Sequence, residues 1–295
     1  MMPHSHTVSE LLATRPAHQS LCAFNAENFD TLTPIMRAAG ELVCPVIVAF
    51  SVPAARYLGY DYLVDLVALT AHRFGTEYAL HLDHCEDAVE LRAAVEAGFT
   101  SVNFLNEGTL SDPEYLSAAQ ALAEEYRDRI SLEFVLGTLG HATESAHDGH
   151  THHRGELRSP NAAEVIEFAA ACQPDILGFH CGSLHGMRTR ERTIDLSLIR
   201  EISSATGLPI VLHGSSGVRT DDILAGIDVG VRKVNIETSI RTVYMSALRT
   251  AACGGGPAAR KPRYVTMATD EALTPELKGF LMTYTLRPPA PSGPR

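Results

Sequence analysis

The chain has 295 residues, 45% apolar and 20% charged, enough to bury a sizeable core in one large domain. Its formal net charge of −11 argues against nucleic acid or an acidic membrane as the main partner. A phosphorylated small molecule stays open, because backbone amides and a metal bind phosphate inside an acidic protein.

The six cysteines are spread singly and form no CxxC pair, so neither a zinc knuckle nor a disulfide framework is indicated. Met1–Ala17 lacks the apolar centre of a signal peptide, and no stretch approaches a membrane span. The expected setting is a reduced cytoplasm.

Along the chain, short apolar runs alternate with amphipathic stretches. Leu21–Asn25 reads as the first strand, followed by a helical pattern over Asp30–Ala39. Pro45–Ser51 pairs with Tyr62–Arg73, Tyr78–Asp83 with Asp87–Ala97, and Ser101–Leu105 with Pro113–Tyr126. Ile130–Leu136 precedes Ala162–Cys172, and Ile176–Cys181 precedes Leu196–Ala205. Pro209–His213 leads to Asp221–Val229, and Lys233–Ile236 to Ser239–Ala252.

Eight strands alternating with eight helices imply parallel pairing through crossover helices. The pattern predicts an α/β protein, a closed (β/α)8 TIM barrel forming a single domain over residues 1–255. An open doubly wound sheet is the alternative, although no GxGxxG follows the first strand.

Two segments break the rhythm. Residues 137–160 are long and polar, with histidines at His141, His147, His150, His152 and His153; this reads as a lid or a mobile, adventitious metal-binding loop. Residues 256–295 read as a partly disordered C-terminal extension with a short helix at Pro275–Thr283.

Three histidines fall at or just beyond strand ends: His84 after the third, His185 after the sixth and His213 closing the seventh. In a β/α barrel these ends face one mouth, and three neutral imidazoles with one open position describe a catalytic zinc site. The competing reading makes some of them hydrogen-bonded polar residues of the barrel. Asp83 suits a group that orients a histidine or a general acid/base, or else a plain cap. Because neighbours in a strand point to opposite faces, Asp83 and His84 share a site only if the strand ends there.

Gly186 and Gly214-Ser215-Ser216 lie at turns where backbone can approach an anion. Asn235-Ile236-Glu237-Thr238 closes the eighth strand and opens a helix, with Thr238 or Ser239 as N-cap. The loops after strands seven and eight are the usual barrel phosphate site. His81, His180, His18 and His72 read as structural or surface residues, and Cys85 and Cys181 as packing residues.

Taken together these residues resemble the class II, metal-dependent ketose-bisphosphate aldolases, which include fructose- and tagatose-bisphosphate aldolases. The resemblance runs from Ala23-Phe24-Asn25 through His81-Leu82-Asp83-His84, Gly182-Ser183-Leu184-His185-Gly186 and Leu212-His213-Gly214-Ser215-Ser216-Gly217 to Lys233-Val234-Asn235-Ile236-Glu237-Thr238. It implies one Zn2+ per subunit on His84, His185 and His213, with a monovalent cation as a further candidate, and Asp83 as the catalytic acid/base. Asn25, Ser51, Gly186, Gly214, Ser215, Ser216, Asn235, Ile236, Glu237 and Thr238 would hold a dihydroxyacetone-phosphate-like donor. The resemblance also implies a homodimer or homotetramer.

The family closes strand five with Glu-Leu-Gly, then Gly-Gly and acids. Here Val135 stands for an acid, His141 for a glycine, and Glu144 is the nearest candidate for the base that takes the donor's α-proton. Asn106-Glu107-Gly108-Thr109 replaces an Asp-Gly-Ser, and Glu237 an Asp or small residue. These changes cluster on the acceptor side, so the resemblance implies C–C bond chemistry with a non-standard aldehyde. A sugar-phosphate isomerase or epimerase and a non-catalytic metal- and phosphate-binding barrel are the alternatives.

Overall fold

A computed structural model describes residues 5–105, 112–137, 159–183, 192–255, 259 and 261–289. Its strands are β1 (Leu21–Asn25), β2 (Val46–Ser51), β3 (Tyr78–Cys85), β4 (Ser101–Leu105), β5 (Ser131–Leu136), β6 (Ile176–Phe179), β7 (Ile210–Leu212) and β8 (Val231–Ile236). They pair in sequence order, all parallel, and β8 returns to β1 to close the barrel.

The helices are α1 (Val8–Ala13), α2 (Phe29–Leu42), α3 (Val52–Leu58), α4 (Tyr60–Phe74), α5 (Ala88–Ala97), α6 (Pro113–Tyr126), α7 (Ala162–Cys172), α8 (Leu196–Thr206), α9 (Thr220–Asp228), α10 (Thr238–Cys253) and α11 (Pro262–Phe280). The (β/α)8 architecture is therefore the one the alternation predicts. Among the described residues no helix is long and apolar enough to cross a membrane.

Strand alternation sorts every side chain to one of two sides. Outward-facing Phe24, Val48, Phe50, Leu82, Phe104 and Phe134 join the large core beneath the helices. Inward-facing Leu21, Ala23, Ile47, Ala79, Ile176 and Val211 form a separate apolar cluster with Val8, Leu11 and Leu12. Helix α1 thus plugs the N-terminal end of the barrel, fixed by a Thr7/Glu10 capping box and by Ser9 N–H donating to Ser131 Oγ at 2.9 Å.

Above that plug the interior turns polar. His81, Ser101, Ser131, Glu133 and Lys233 all point inward and are fully buried. The next layer toward the C-terminal ends carries Asn25, Ser51, Asp83, Asn103 and Asn235. Leu105 and Val135, paired across β4 and β5, form a small apolar cluster of their own there.

The helix expected over Pro275–Thr283 is much longer. It starts at Pro262, where a proline suits the first turn because its missing N–H has no intrahelical partner, and Pro275 lies within it. Thr269, Leu273, Leu277 and Leu281 recur every fourth residue and are fully buried, the single stripe that binds α11 and the π-helical turn Leu281–Thr285 to α2 and β1. Ser20 N–H donates to Tyr284 C=O at 3.0 Å, which ties this segment to the start of β1.

Candidate active site

Asp83 and His84 reach the same mouth through a backbone turn. At His84 φ is +57°, a left-handed conformation uncommon outside glycine, and the pairing register with β4 shifts between Leu82 and Cys85. Asp83 keeps the inward direction of its strand while His84, which regular alternation would send outward, swings back over the barrel. Its N–H is held by Asn103 Oδ1 at 3.2 Å. The His84 ring then meets His213 edge-on, 5.5 Å between centroids, and its Nε2 lies 3.9 Å from Asp83 Oδ2.

Asp83, His84 and His213 offer ligand atoms that all lie within 4.8 Å of one another. Two imidazoles and a carboxylate are the donor set of a borderline cation such as zinc. Asp83 Oδ2 accepts from Asn25 Nδ2 at 2.8 Å, while Oδ1 is buried without a hydrogen-bond partner, an arrangement that an electropositive ligand would complete. The residues present fit a metal. His185, Gly186 and Glu144, together with the histidines from His141 to His153, lie outside the described residues.

On either side of the segment that holds His185, the described residues approach one another. Gly182 has φ +105° and a Cβ there would sit 2.7 Å from Thr193 C=O, so glycine lets the backbones at Gly182 and Thr193 pack together. Arg192 N–H donates to Gly217 C=O at 2.8 Å, tying Arg192 to the loop after β7.

That loop is the candidate anion cradle. Gly214 is left-handed at φ +63°, followed by a 3-10 turn over Ser215–Gly217. Ser215 Oγ donates to Asn235 C=O at 2.5 Å and so couples the ends of β7 and β8. Buried Thr238 opens α10, and its N-terminal amides face the same end of the barrel. Glu237, rather than the expected Thr238 or Ser239, occupies the N-cap position of α10, its side chain making no cap hydrogen bond and pairing instead with Arg241 at 3.2 Å; the Ile236 side chain packs in the outer core, which leaves its backbone alone to meet a ligand. Ser51 sits opposite Asp83 in register and accepts from Ala54 N–H at 3.4 Å as the cap of α3.

Beneath the site runs a chain of buried polar contacts that adds Glu133, Lys233 and Ser101 to the residues singled out from the sequence. His213 Nε2 contacts Glu133 Oε1 at 2.8 Å, and Asn235 Nδ2 meets His213 Nδ1 at 3.3 Å. Lys233 Nζ donates to Glu133 Oε2 at 2.5 Å and to His81 Nε2 at 3.1 Å, while His81 Nδ1 contacts Ser101 Oγ at 2.8 Å.

The environment tunes these groups strongly. Burial, then the Lys233 ammonium, pushes the His81 imidazole down to about 3. Burial would raise the Glu133 carboxyl, but the Lys233 charge and the His213 hydrogen bond outweigh it and hold it at about 2. Burial likewise opposes ionisation of Asp83, and the imidazoles of His84 and His213 overcome it, holding the carboxyl well below its usual range. Cys85, by contrast, is pushed up to about 12 by burial, which suits the packing residue expected of it.

A signal for this layer was present in the sequence: His81, Glu133 and Lys233 are polar residues at alternate positions of otherwise apolar strands, and such residues are rarely buried without partners.

Comparison with known proteins agrees with this architecture. The chain matches the family described as fructose-bisphosphate aldolase class-II over residues 7–284. The YdjI aldolase of Escherichia coli K12 superposes with a TM-score of 0.78 at 19% identity, covering 96% of this chain and 97% of that one. The fructose-bisphosphate aldolase of Campylobacter jejuni superposes with a TM-score of 0.75 at 18% identity, covering 93% and 92%. With a closed barrel, an Asp-His pair turned onto its mouth and a family match across nearly its whole length, this chain belongs to the class II fructose-bisphosphate aldolases.

Proposed function

We propose that the chain is a zinc-dependent aldolase that makes or breaks the C–C bond between a dihydroxyacetone-phosphate-type donor and an aldehyde. The observation that carries this reading is the convergence of Asp83, His84 and His213 at the barrel mouth, with Asp83 Oδ1 buried and without a hydrogen-bond partner. His84 and His213, with His185, would hold the metal. When bound, zinc supplies Lewis-acid polarisation of the donor's oxygens.

The chain's own residues do the rest. Asp83, its carboxyl held well below the usual range and aimed by Asn25, accepts the hydroxyl proton as the C–C bond breaks and returns it in synthesis. The amides of Gly214, Ser215 and Ser216, with the N-terminus of α10 at Thr238, bind the donor phosphate. Gly186, Asn235, Ile236 and Glu237 complete the donor pocket, and Glu144 is assigned the donor's α-proton. Leu105 and Val135 form a small buried apolar cluster at the C-terminal ends of β4 and β5, where the resemblance expects an acid, and this supports an acceptor other than the ordinary triose phosphate. A homodimer or homotetramer is carried over from the family, to be read by light scattering.

The test is retro-aldol release of glycerone phosphate from a panel of phosphorylated ketoses, before and after metal removal. Activity should vanish with a chelator and return with zinc. Undiminished activity in metal-free protein would sink the metal mechanism. Sugar-phosphate interconversion with no C–C cleavage would replace the aldolase with an isomerase. Asp83→Asn should lower kcat by about 10²–10⁴-fold.

A further inference from the structure

We infer that Lys233 is a positioning residue for the metal: through Glu133 it fixes the tautomer of His213, so that Nδ1 is the ring nitrogen presented to the mouth. This rests on the metal-site reading above and extends it to a side chain that touches neither metal nor substrate.

The argument is one of donors and acceptors. An ammonium has three donors and no acceptor. Lys233 Nζ lies 3.1 Å from His81 Nε2 and 2.5 Å from Glu133 Oε2, all three side chains being fully buried. His81 Nε2 must therefore be an acceptor, which puts the His81 proton on Nδ1, where it meets Ser101 Oγ at 2.8 Å. On the other branch an ionised Glu133 has only acceptors. Its Oε1 lies 2.8 Å from His213 Nε2, so that nitrogen carries a proton; on the neutral ring Nδ1 then holds the lone pair, which Asn235 Nδ2 faces at 3.3 Å.

A carboxylate on the far nitrogen is the usual means of setting a ligating histidine's tautomer and ring orientation. Here the carboxylate cannot stay ionised in the barrel interior without its own counter-charge, and Lys233 is that charge. The same cation thus dictates the proton positions of two imidazoles, His81 below the site and His213 within it.

The metal-free wild-type protein gives the first test. With ¹⁵N-labelled histidine, ring-nitrogen shifts should report Nε2–H for His213 and Nδ1–H for His81. The opposite tautomer at His213 overturns the inference, and this reading needs no variant to fold.

Zinc affinity gives the second, measured by competition with a chromophoric chelator. Lys233→Met should weaken zinc binding by about 10–100-fold and lose the pure Nε2–H signature, and Glu133→Gln, whose amide oxygen can still accept from His213, should lose about tenfold or less. A purely structural role would lower the melting temperature of Lys233→Met and leave zinc affinity and tautomer unchanged, which overturns the proposal. Wild type that binds zinc with the expected tautomers but cleaves no ketose would sink the aldolase reading while leaving this one standing.

Discussion

The left-handed turn at His84 decides whether an acid and an imidazole adjacent in sequence can act together. With φ at +57° the residue pays a backbone strain that glycine and asparagine avoid and β-branched residues feel most. His84→Asn and His84→Val both delete the imidazole, so they separate the turn from the ligand. In zinc-free protein, His84→Asn should unfold in urea close to wild type, while His84→Val should lose about 1–2 kcal/mol. Equal stability of the two would mean that the turn at this strand end is not what holds Asp83 and His84 together. The sequence shows the Asp-His pair plainly but not this φ. No glycine marks the position, and the histidine's unusual backbone shows only in the irregular pairing of β3 with β4. His81 reads from the sequence as structural or surface and is fully buried, whereas Glu133 and Lys233, legible in principle by period-two alternation, are hidden when their strands are read as continuous apolar runs, because their charges neutralise each other across strands.

At the level of elements, strong periodic segments came through with accurate bounds. β1, β4, α6 and α7 fall at the residues their patterns predict, since their ends carry caps such as Asp112 and Asn161. What was missed has a common cause. α1 and α3 are too short for helical periodicity to register, and α11 is mostly polar, so its one apolar stripe is diluted by its length. That stripe matters to the barrel. Leu273, Leu277 and Leu281 are fully buried, Phe280 packs on Phe24 of β1 at 6.3 Å, and Arg37 of α2 pairs with Asp270 at 2.7 Å. Leu277→Ala should therefore destabilise the whole domain by about 2–5 kcal/mol, the range for a fully buried leucine. Urea denaturation followed by far-UV circular dichroism should show one transition at lower midpoint. An unchanged midpoint would make the segment after residue 261 an appendage rather than part of the core.

At the scale of the whole molecule, the polar layer makes stability depend on pH in a direction that can be worked out. His81 has its imidazole lowered from 6.5 to about 3 in the folded state. Between those values the unfolded chain binds a proton that the native chain refuses. By linkage, stability is then full above pH 6.5 and falls as pH drops through this window, at up to about 1.4 kcal/mol per unit from this one group. Glu133, lowered from 4.5 to about 2, adds a loss of the same sign below pH 4.5, and Asp83 acts in the same direction. The interval from pH 6.5 to 4.5 thus isolates the histidine contribution from the buried carboxylates. Within it His180, also lowered by burial, contributes in the same sense, so the comparison must be with a variant rather than with a calculated curve. His81→Gln is that variant: its amide oxygen can accept from Lys233 and its nitrogen can donate toward Ser101, but it binds no proton. From pH 6.5 to 4.5 wild type should lose about 2–3 kcal/mol more than His81→Gln, measured as urea midpoints at constant ionic strength. Parallel loss in the two proteins would mean that His81 is not held neutral by burial beside Lys233, and that the barrel's interior charge is arranged differently from these hydrogen bonds.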